Sequence, residues 1–294
     1  MNDKTIKKGI ILAGGFGTRL WPITVPVSKQ LLPVYDKPMI YYPLTTLMFA
    51  GIKDILIITT ENDLSRFKSI LYDGSQWGIN ISYEIQENPN GVAEAFIIGS
   101  NFINNSPCAL ILGDNIFHGT GFAELLFQAA NLKTGATAFA YNVNDPENYG
   151  IVKFDKNDLP ILLKEKPQEY ISPWAITGLY FYDENVVEIA HSVTASKRGE
   201  YEITSINQIY LERGELTVNK IGRGSAWFDA GTHTSLLGAS QYIQAIELRQ
   251  GLKIGCPEEV AYRMKYIDLS QFKEIIAKCK RSDYADYLRN ITLT

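Results

Sequence analysis

Short apolar runs alternate with amphipathic stretches through the first 113 residues of the chain. The apolar runs have the length of β-strands and lie at residues 9–13, 54–59, 81–84 and 108–113. The amphipathic stretches have helical spacing and lie at residues 41–50, 64–71 and 93–102. This alternation predicts a parallel sheet covered by helices on both faces, with ligands bound at the carboxyl ends of the strands.

The rest of the chain divides into a mixed segment and a helical one. Strand-like runs lie at residues 137–142, 150–154, 175–182 and 217–221, with a helix predicted at 203–213. We expect these strands to extend the same sheet and to form the second side of a ligand cleft. From Thr234 onward the pattern is helical and rich in charge, with breaks at Gly251 and Pro257. We therefore predict one α/β domain over residues 1–294, with a Rossmann-like, mostly parallel sheet and a C-terminal helical segment.

Composition and charge narrow the function classes. The chain has 46% hydrophobic residues, 20% charged residues and a net charge of −4, and this acidic balance argues against a nucleic-acid partner, whose binding surface needs clustered Lys and Arg. No apolar run reaches the length of about 18 residues that spans a bilayer, and the first residues lack an apolar signal core. We therefore expect a cytoplasmic protein without a membrane partner. The three cysteines are far apart in the sequence, which argues against a disulfide framework or a zinc cluster.

A glycine-rich turn follows the first predicted strand. Gly14, Gly15 and Gly17 leave backbone N–H groups unobstructed by a Cβ, so that phosphate oxygens can approach the chain closely. Arg19 can bind two phosphate oxygens as a planar fork, and Lys29 adds a movable positive charge. The segment therefore predicts a triphosphate site.

Two better-known glycine loops do not fit this segment. A dinucleotide fingerprint needs a small residue where Leu20 stands and then a helix, but Trp21 and Pro22 follow. A P-loop needs Gly-Lys-Ser or Gly-Lys-Thr, and neither tripeptide occurs in the sequence. A turn whose glycines serve backbone geometry alone stays open as an alternative for the Gly-Gly pair.

Two aspartates are candidate metal ligands. Asp114 follows the apolar run at 108–113, and Asp229 has the apolar neighbours Phe228 and Ala230. Mg²⁺ prefers one or two carboxylates together with phosphate oxygens and water, which suits a nucleotide site. Either aspartate could instead be a capping or turn residue.

Two further segments carry candidate binding groups. In the tripeptide Glu165-Lys166-Pro167, the proline favours an extended backbone at Lys166, so that Glu165 could accept sugar hydroxyls while Lys166 points at a phosphate. A solvated ion pair on a loop is the alternative. Gln86 begins a polar, turn-forming segment at 86–91 and offers both a donor and an acceptor to a pyrimidine base.

Longer strings carry a resemblance to a known family. Residues 12–20 read Leu-Ala-Gly-Gly-Phe-Gly-Thr-Arg-Leu, and residues 28–34 read Ser-Lys-Gln-Leu-Leu-Pro-Val. Further strings of the same kind lie at 37–40, 112–115, 149–150, 165–167, 177–182, 199–200, 202–204, 227–233, 251–253 and 256–259. Together they cover essentially the full chain in order. The sequence resembles the sugar-phosphate nucleotidyltransferases.

The resemblance implies the nucleotidyltransferase fold and an activity. The implied reaction is Mg²⁺-dependent transfer of a thymidylyl group from dTTP to α-D-glucose 1-phosphate, giving dTDP-glucose and pyrophosphate on the route to dTDP-rhamnose and related deoxysugars. Residues 1–136 would form the nucleotide-binding half, residues 137–233 the sugar-binding half and residues 234–294 the helical part. A homotetramer is also implied.

The resemblance also implies roles for particular residues. The catalytic residues would be Arg19, Lys29 and Lys166, and the metal ligands Asp114 and Asp229. The nucleotide contacts would be Leu12, Gly14, Gly15, Gly17, Thr18, Gln30, Gln86, Gly91 and Asp114. The sugar contacts would be Tyr149, Gly150, Glu165 and Ile176. A second nucleotide site near a subunit interface would use Arg223, Cys256 and Glu259.

Two rival functions stay open. A uridylyl- or cytidylyltransferase acting on the same sugar phosphate is one, because a single methyl group separates thymine from uracil and is worth about 1–3 kcal/mol in a pocket. A non-catalytic, nucleotide-sugar-binding regulatory protein is the other. The chain also departs from the family pattern at Glu94, His118 and Ile176, where the family usually has Gln, Tyr and Val.

Overall fold

In the described part of the chain, one mixed sheet of nine strands runs through both halves of the sequence. The structure is a computed structural model, which describes residues 5–293. Its strands are β1 (Lys8–Ala13), β2 (Pro33–Val34), β3 (Lys37–Pro38), β4 (Asp54–Thr59), β5 (Asn80–Ile85), β6 (Cys108–Leu112), β7 (Asn115–His118), β8 (Ala136–Asn142), β9 (Gly150–Phe154), β10 (Pro160–Glu165), β11 (Trp174–Tyr182), β12 (Leu216–Lys220) and β13 (Ala226–Asp229). The large sheet has the order β10-β9-β11-β6-β1-β4-β5, and β8 joins it at β11 with β12 alongside.

Strand directions differ between the two halves of the sheet. β1 pairs in parallel with β4 and β6, and β4 pairs in parallel with β5, as the alternation predicts. In the second half, β11 runs antiparallel to β6, β8 and β9. The second half therefore extends the same sheet, and the predicted α/β class is confirmed.

Helices cover both faces of this sheet. They are α1 (Tyr41–Phe49), α2 (Glu61–Leu71), α3 (Glu94–Ile98), α4 (Ser100–Ile103), α5 (Phe122–Ala130), α6 (Val186–Ser192), α7 (Ile203–Glu212), α8 (His233–Gln250), α9 (Pro257–Arg263), α10 (Leu269–Lys278) and α11 (Asp283–Ile291). Among residues 5–293, no helix combines the length and the apolar character that crossing a membrane requires.

Two apolar clusters fill the space between the sheet and its helices. Successive side chains of a strand point to opposite faces, so Ile11 of β1 packs into one cluster and Ile10 into the other. The first cluster includes residues of α1, α2, α5, α9 and α10, and the second includes residues of α3, α4, α6 and α7. Burial on both faces explains why the parallel strands read as continuous apolar runs in the sequence.

The C-terminal helices begin and end at residues whose chemistry favours those positions. Thr232 and Ser235 form a reciprocal capping box at the start of α8. Gly251 ends that helix with a φ of 69°, a left-handed conformation that glycine adopts without a Cβ penalty. Pro257 occupies the first turn of α9, where its missing N–H costs no hydrogen bond. The predicted breaks at Gly251 and Pro257 are therefore confirmed.

The fold differs from the sequence prediction in several places, and β2, β3, β10 and α6 were not among the predicted elements. The helix predicted at 93–102 is two short helices, α3 and α4, with Gly99 between them. The prediction also lacked the antiparallel pair of β7 and β13, which forms a small separate sheet. These two strands have four residues each, too few to produce a readable period in the sequence.

Candidate active site

A cleft of about 320 Å³ lies at the carboxyl ends of β1 and β6 and is lined by residues of both halves of the chain. It brings together most of the residues that the sequence singled out. These are Leu12, Gly15, Arg19, Lys29, Gln30, Gln86, Gly91, Asp114, Tyr149, Gly150, Glu165, Lys166, Ile176 and Asp229. Gly14, Gly17 and Thr18 belong to the same glycine-rich turn but do not line the cleft.

The three glycines of the turn differ in what their missing side chains permit. A Cβ on Gly14 would lie 2.3 Å from Oε1 of Gln86, so Gly14 makes room for that amide. A Cβ on Gly15 would meet no atom within 4 Å, which leaves its backbone open toward the cleft. Gly17 has a φ of 62°, and the chain turns there into the short helix Thr18–Leu20 that carries Arg19.

Asp114 is buried and paired with a lysine. Burial by itself would raise the pKa of its carboxyl, but the charge of Lys29 and a short hydrogen bond from Lys29 Nζ hold the pKa below its usual value. Asn115 Nδ2 donates a further hydrogen bond of 3.2 Å to Asp114. Lys29, which the sequence assigned to the triphosphate, therefore lies against a carboxylate at the floor of the cleft.

The pair of β7 and β13 brings Asp229 beside Asp114. Asp229 is the register partner of Asn115, and the N–H of Ala230 donates to the carbonyl oxygen of Asp114 over 2.9 Å. Burial and then repulsion by Asp114 raise the pKa of the Asp229 carboxyl. Its Oδ1 is buried without a hydrogen-bond partner among residues 5–293. The charges of Lys29 and Arg19 oppose this rise in pKa, and Arg19 Nη2 lies 4.0 Å from Asp229 Oδ2.

These two aspartates fit the ligand set of a divalent cation. Buried carboxylates repel each other and remain charged only where positive charge compensates them. Two carboxylates next to a phosphate site are what Mg²⁺ prefers, and a buried oxygen without a donor can be satisfied by a cation. No cluster of three or more Asp, Glu, His or Cys residues is present within 5–293, so phosphate oxygens and water would complete the coordination.

Asn115 anchors the centre of the cleft and was not among the sequence candidates. Its Oδ1 accepts hydrogen bonds from Trp227 Nε1 at 2.6 Å and from the N–H of Gly178 at 2.9 Å. Trp227 also packs against the ring of Tyr149, with the ring centroids 5.3 Å apart. Asn115 thus connects the strand that follows Asp114 to the predicted sugar pocket.

The far side of the cleft holds Glu165 together with an arginine that sequence reasoning missed. Thr204 Oγ1 donates to Glu165 Oε2 over 2.5 Å, and Arg198 Nη2 lies 3.9 Å from Glu165 Oε1. Arg198 also pairs with Glu200 and Glu202 at 2.8 and 2.9 Å. The signal that could have found Arg198 is its position immediately before Gly199 and Glu200, which belong to one of the strings shared with the family.

The backbone at Lys166 contradicts the sequence prediction. We expected an extended conformation before Pro167, but Lys166 has a φ of 40°. Its N–H donates to the carbonyl oxygen of Tyr149 over 3.0 Å, one residue past the last pair of β9 and β10, so the chain leaves the sheet at Lys166. A positive φ in a residue other than glycine is strained, and such strain is often found at functional sites. Lys166 and Glu165 both line the cleft.

The three residues predicted for a second nucleotide site lie away from this cleft. Cys256 and Glu259 line another cavity, of about 300 Å³, which also includes His118 and Gly119. Arg223 is exposed on the loop between β12 and β13. That loop adjoins the second cavity, because a Cβ on Gly119 would lie 2.2 Å from Ser225 Oγ.

Known proteins resemble this chain over most of its length. Residues 8–246 match the family model described as nucleotidyl transferase. A glucose-1-phosphate thymidylyltransferase of Xanthomonas campestris is 52% identical over 284 residues, covering 97% of this chain and 96% of that protein. A protein of the same name from Neisseria meningitidis is 53% identical over 281 residues, covering 96% of this chain and 98% of its own length.

Solved structures share the fold. A proposed glucose-1-phosphate thymidylyltransferase from Bacillus anthracis, solved with sucrose, superposes with a TM-score of 0.74 at 40% identity, covering 80% of this chain and 94% of that one. A UDP-glucose pyrophosphorylase solved with UDP-glucose has a TM-score of 0.72 at 25% identity, covering 82% of this chain and 99% of its own. The protein described here belongs to the nucleotidyl transferase family.

Proposed function

We propose that this protein joins dTTP and α-D-glucose 1-phosphate to give dTDP-glucose and pyrophosphate. The observation that carries the proposal is the presence of basic side chains from both halves of the chain in one cleft, Arg19 and Lys29 on one side and Lys166 and Arg198 on the other. A reaction between two phosphorylated substrates needs positive charge for each of them, because two groups of negative charge must be brought together.

On the nucleotide side, Arg19 and Lys29 hold the triphosphate. The backbone beside Gly15 is open to phosphate oxygens, and Arg19 is exposed enough to reach them, since 62% of its side chain is accessible. Arg19 can then stabilise the negative charge that develops on the departing pyrophosphate. Lys29 assists once a ligand competes with Asp114 for its ammonium group.

On the sugar side, Lys166 and Glu165 orient the attacking substrate. Lys166 holds the phosphate of glucose 1-phosphate so that one of its oxygens can attack the α-phosphorus of dTTP in line. Glu165, held by Thr204 and Arg198, accepts hydrogen bonds from sugar hydroxyls. Tyr149, Gly150 and Ile176 complete the sugar pocket. No covalent intermediate with the protein is needed.

Asp114 and Asp229 are the proposed magnesium ligands. When bound, Mg²⁺ would neutralise charge on the phosphate oxygens during transfer. The pair supports this role because Asp229 is buried beside Asp114 with an oxygen that lacks a donor within residues 5–293.

A grid of substrates tests the reaction. We expect pyrophosphate release with glucose 1-phosphate to be fastest with dTTP and modestly slower with dUTP, because one methyl group separates the two bases. We expect dCTP to be much poorer, because its exocyclic amine presents a donor where thymine presents an acceptor. Release should be measured for each nucleotide against glucose, galactose and mannose 1-phosphates.

The same grid decides between the rival functions. A preference for UTP over both dTTP and dUTP would identify a uridylyltransferase, the class suggested by the likeness to a UDP-glucose pyrophosphorylase. Binding of dTDP-glucose without pyrophosphate release from any nucleotide would identify a non-catalytic regulatory protein. The relatives at 52–53% identity carry the name glucose-1-phosphate thymidylyltransferase, which supports dTTP as the nucleotide substrate here.

We further propose a homo-oligomer, a tetramer by resemblance, that is inhibited by a dTDP-sugar at the second cavity. The cavity is lined by Cys256 and Glu259 and adjoins the loop of Arg223. Arg223 would hold the diphosphate of the inhibitor as a charge-assisted fork. Light scattering of the purified protein measures the oligomeric state.

Arg223→Ala tests the inhibitory site. We expect the concentration of dTDP-rhamnose that halves turnover to rise about tenfold, because one charge-assisted contact to the diphosphate is lost, while uninhibited turnover changes little. Arg281→Ala, which removes an exposed arginine of the α10–α11 connection, is the control. Unchanged inhibition would remove Arg223 from the site, and an uninhibited wild type would end the regulatory proposal.

A further inference from the structure

Glu94 contacts the side chain of Gln86 but does not line the cleft. Gln86 Nε2 donates to Glu94 Oε2 over 2.8 Å, and Asn90 Nδ2 donates to Glu94 Oε1 over 2.8 Å. Gln86 is only 3% exposed yet lines the cleft, whereas Glu94 is absent from its lining. Glu94 therefore acts on a ligand in the cleft through the residues that it holds, and of its two hydrogen-bond partners only Gln86 lines the cleft.

The Glu94 carboxylate determines the orientation of the Gln86 side-chain amide. An ionised carboxylate accepts hydrogen bonds and cannot donate them, so only the amide nitrogen can face Glu94. Oε1 is thereby turned to the other side, against Gly14, where a Cβ would lie 2.3 Å from it. Within residues 5–293, this oxygen accepts no hydrogen bond, so its capacity as an acceptor is unused. The glutamine that the family usually has at position 94 could donate or accept, and would permit both orientations.

We infer that Glu94 is a positioning residue for base selection: it locks Gln86 with its oxygen as an acceptor, which favours thymine or uracil and disfavours cytosine. At ring position 3, thymine and uracil carry an N–H donor, whereas cytosine carries a lone pair. An acceptor held opposite this position pairs with the first two bases and repels the third. The inference rests on the proposed nucleotidyl transfer and assigns its base selection to a residue outside the cleft.

The test compares deoxynucleotides that differ only in the base. Pyrophosphate release with saturating glucose 1-phosphate gives kcat/KM for dTTP, dUTP and dCTP. In Glu94→Ala, we expect the ratio of dTTP to dCTP to fall about tenfold, since the amide can rotate and present its nitrogen to cytosine. The ratio of dTTP to dUTP should stay unchanged, because the methyl group is recognised elsewhere. Glu94→Gln should lower the ratio of dTTP to dCTP by a smaller factor.

Glu87→Ala is the matched control. It removes an exposed glutamate from the same segment, one residue after Gln86, and should leave all three ratios at wild-type values. An unchanged ratio of dTTP to dCTP in Glu94→Ala would overturn the inference. So would an equal loss with all three nucleotides, which is what a purely structural role predicts.

Calorimetry separates this inference from the proposed function. A wild type that releases no pyrophosphate would contradict the proposed function, and the affinities for dTTP and dCTP would still test Glu94. If Glu94→Ala lowers the ratio of these affinities, base selection through Gln86 holds in a protein without turnover. If wild type and variant bind both nucleotides with the same ratio, the positioning role is excluded.

Discussion

Replacing Lys166 by alanine is expected to lower turnover by about 10²–10³-fold, the usual effect of losing one preorganised electrostatic contact to the transition state. The affinity for dTTP should change little, because Lys166 contacts the sugar phosphate in the proposed mechanism. The measurements are steady-state pyrophosphate release and calorimetric titration with dTTP. This is one of the two largest effects that the structure leads us to expect.

Variants at Lys164 and Glu165, the two residues of β10 that precede Lys166, test whether this effect is specific to Lys166. Lys164→Ala removes an exposed lysine of β10 that does not line the cleft, and should leave turnover unchanged. Glu165→Gln keeps the size of the side chain while removing its charge, and should mainly raise the KM for glucose 1-phosphate and loosen discrimination among hexoses. Near wild-type turnover in Lys166→Ala would contradict this role. It would support the alternative that Glu165 and Lys166 form a solvated ion pair on a loop, which contributes less than about 1 kcal/mol of stability.

The second large effect is expected at the paired aspartates. Asp114→Asn preserves shape and removes one charge, and we expect turnover to fall by about 10³-fold or more, since a metal supplies several kcal/mol of charge stabilisation in such reactions. The Mg²⁺ concentration that gives half-maximal rate should also rise. Excess EDTA should abolish turnover of the wild type.

The ion pair between Asp114 and Lys29 offers a way to separate two roles of this carboxylate. If Asp114 only anchored Lys29, then Lys29→Ala and Asp114→Asn would lower turnover equally and leave the Mg²⁺ dependence unchanged. Asp158→Asn, at an exposed position in the turn between β9 and β10, is the control for charge removal. Full turnover in EDTA, or an Asp114→Asn variant as fast as wild type, would contradict the metal assignment.

Features that depend on adjacent residues could be predicted from the sequence before the fold was known. Gly14 and Asp114 each follow an apolar run of strand length, and parallel strands end at one edge of the sheet. The alternation of strands and helices therefore places both residues at the same edge, and the pairing of β1 with β6 in the folded sheet makes them neighbours. Arg19 must also lie near this edge, because it follows Gly14 by only five residues in the sequence.

Features that depend on pairs distant in sequence were less accessible. Asp229 was proposed as a metal ligand from its apolar neighbours and from resemblance, but its position beside Asp114 depends on the pairing of β7 with β13. That pairing is supported by the hydrogen bond from Trp227 to Asn115, across more than a hundred residues. A strand of four residues is too short to give a periodic pattern from which such a contact could be predicted.

The amino-acid sequence by itself determined the α/β class, the glycine-rich turn and the candidate residues of both substrates, because these depend on local periodicity and on strings of adjacent residues. Only the tertiary structure decided the left-handed backbone of Lys166, the place of Arg198 beside Glu165 and the contact of Glu94 with Gln86. Each of these depends on which segments pack together, and burial in the folded chain sets the charge and hydrogen-bond partners that each group meets there.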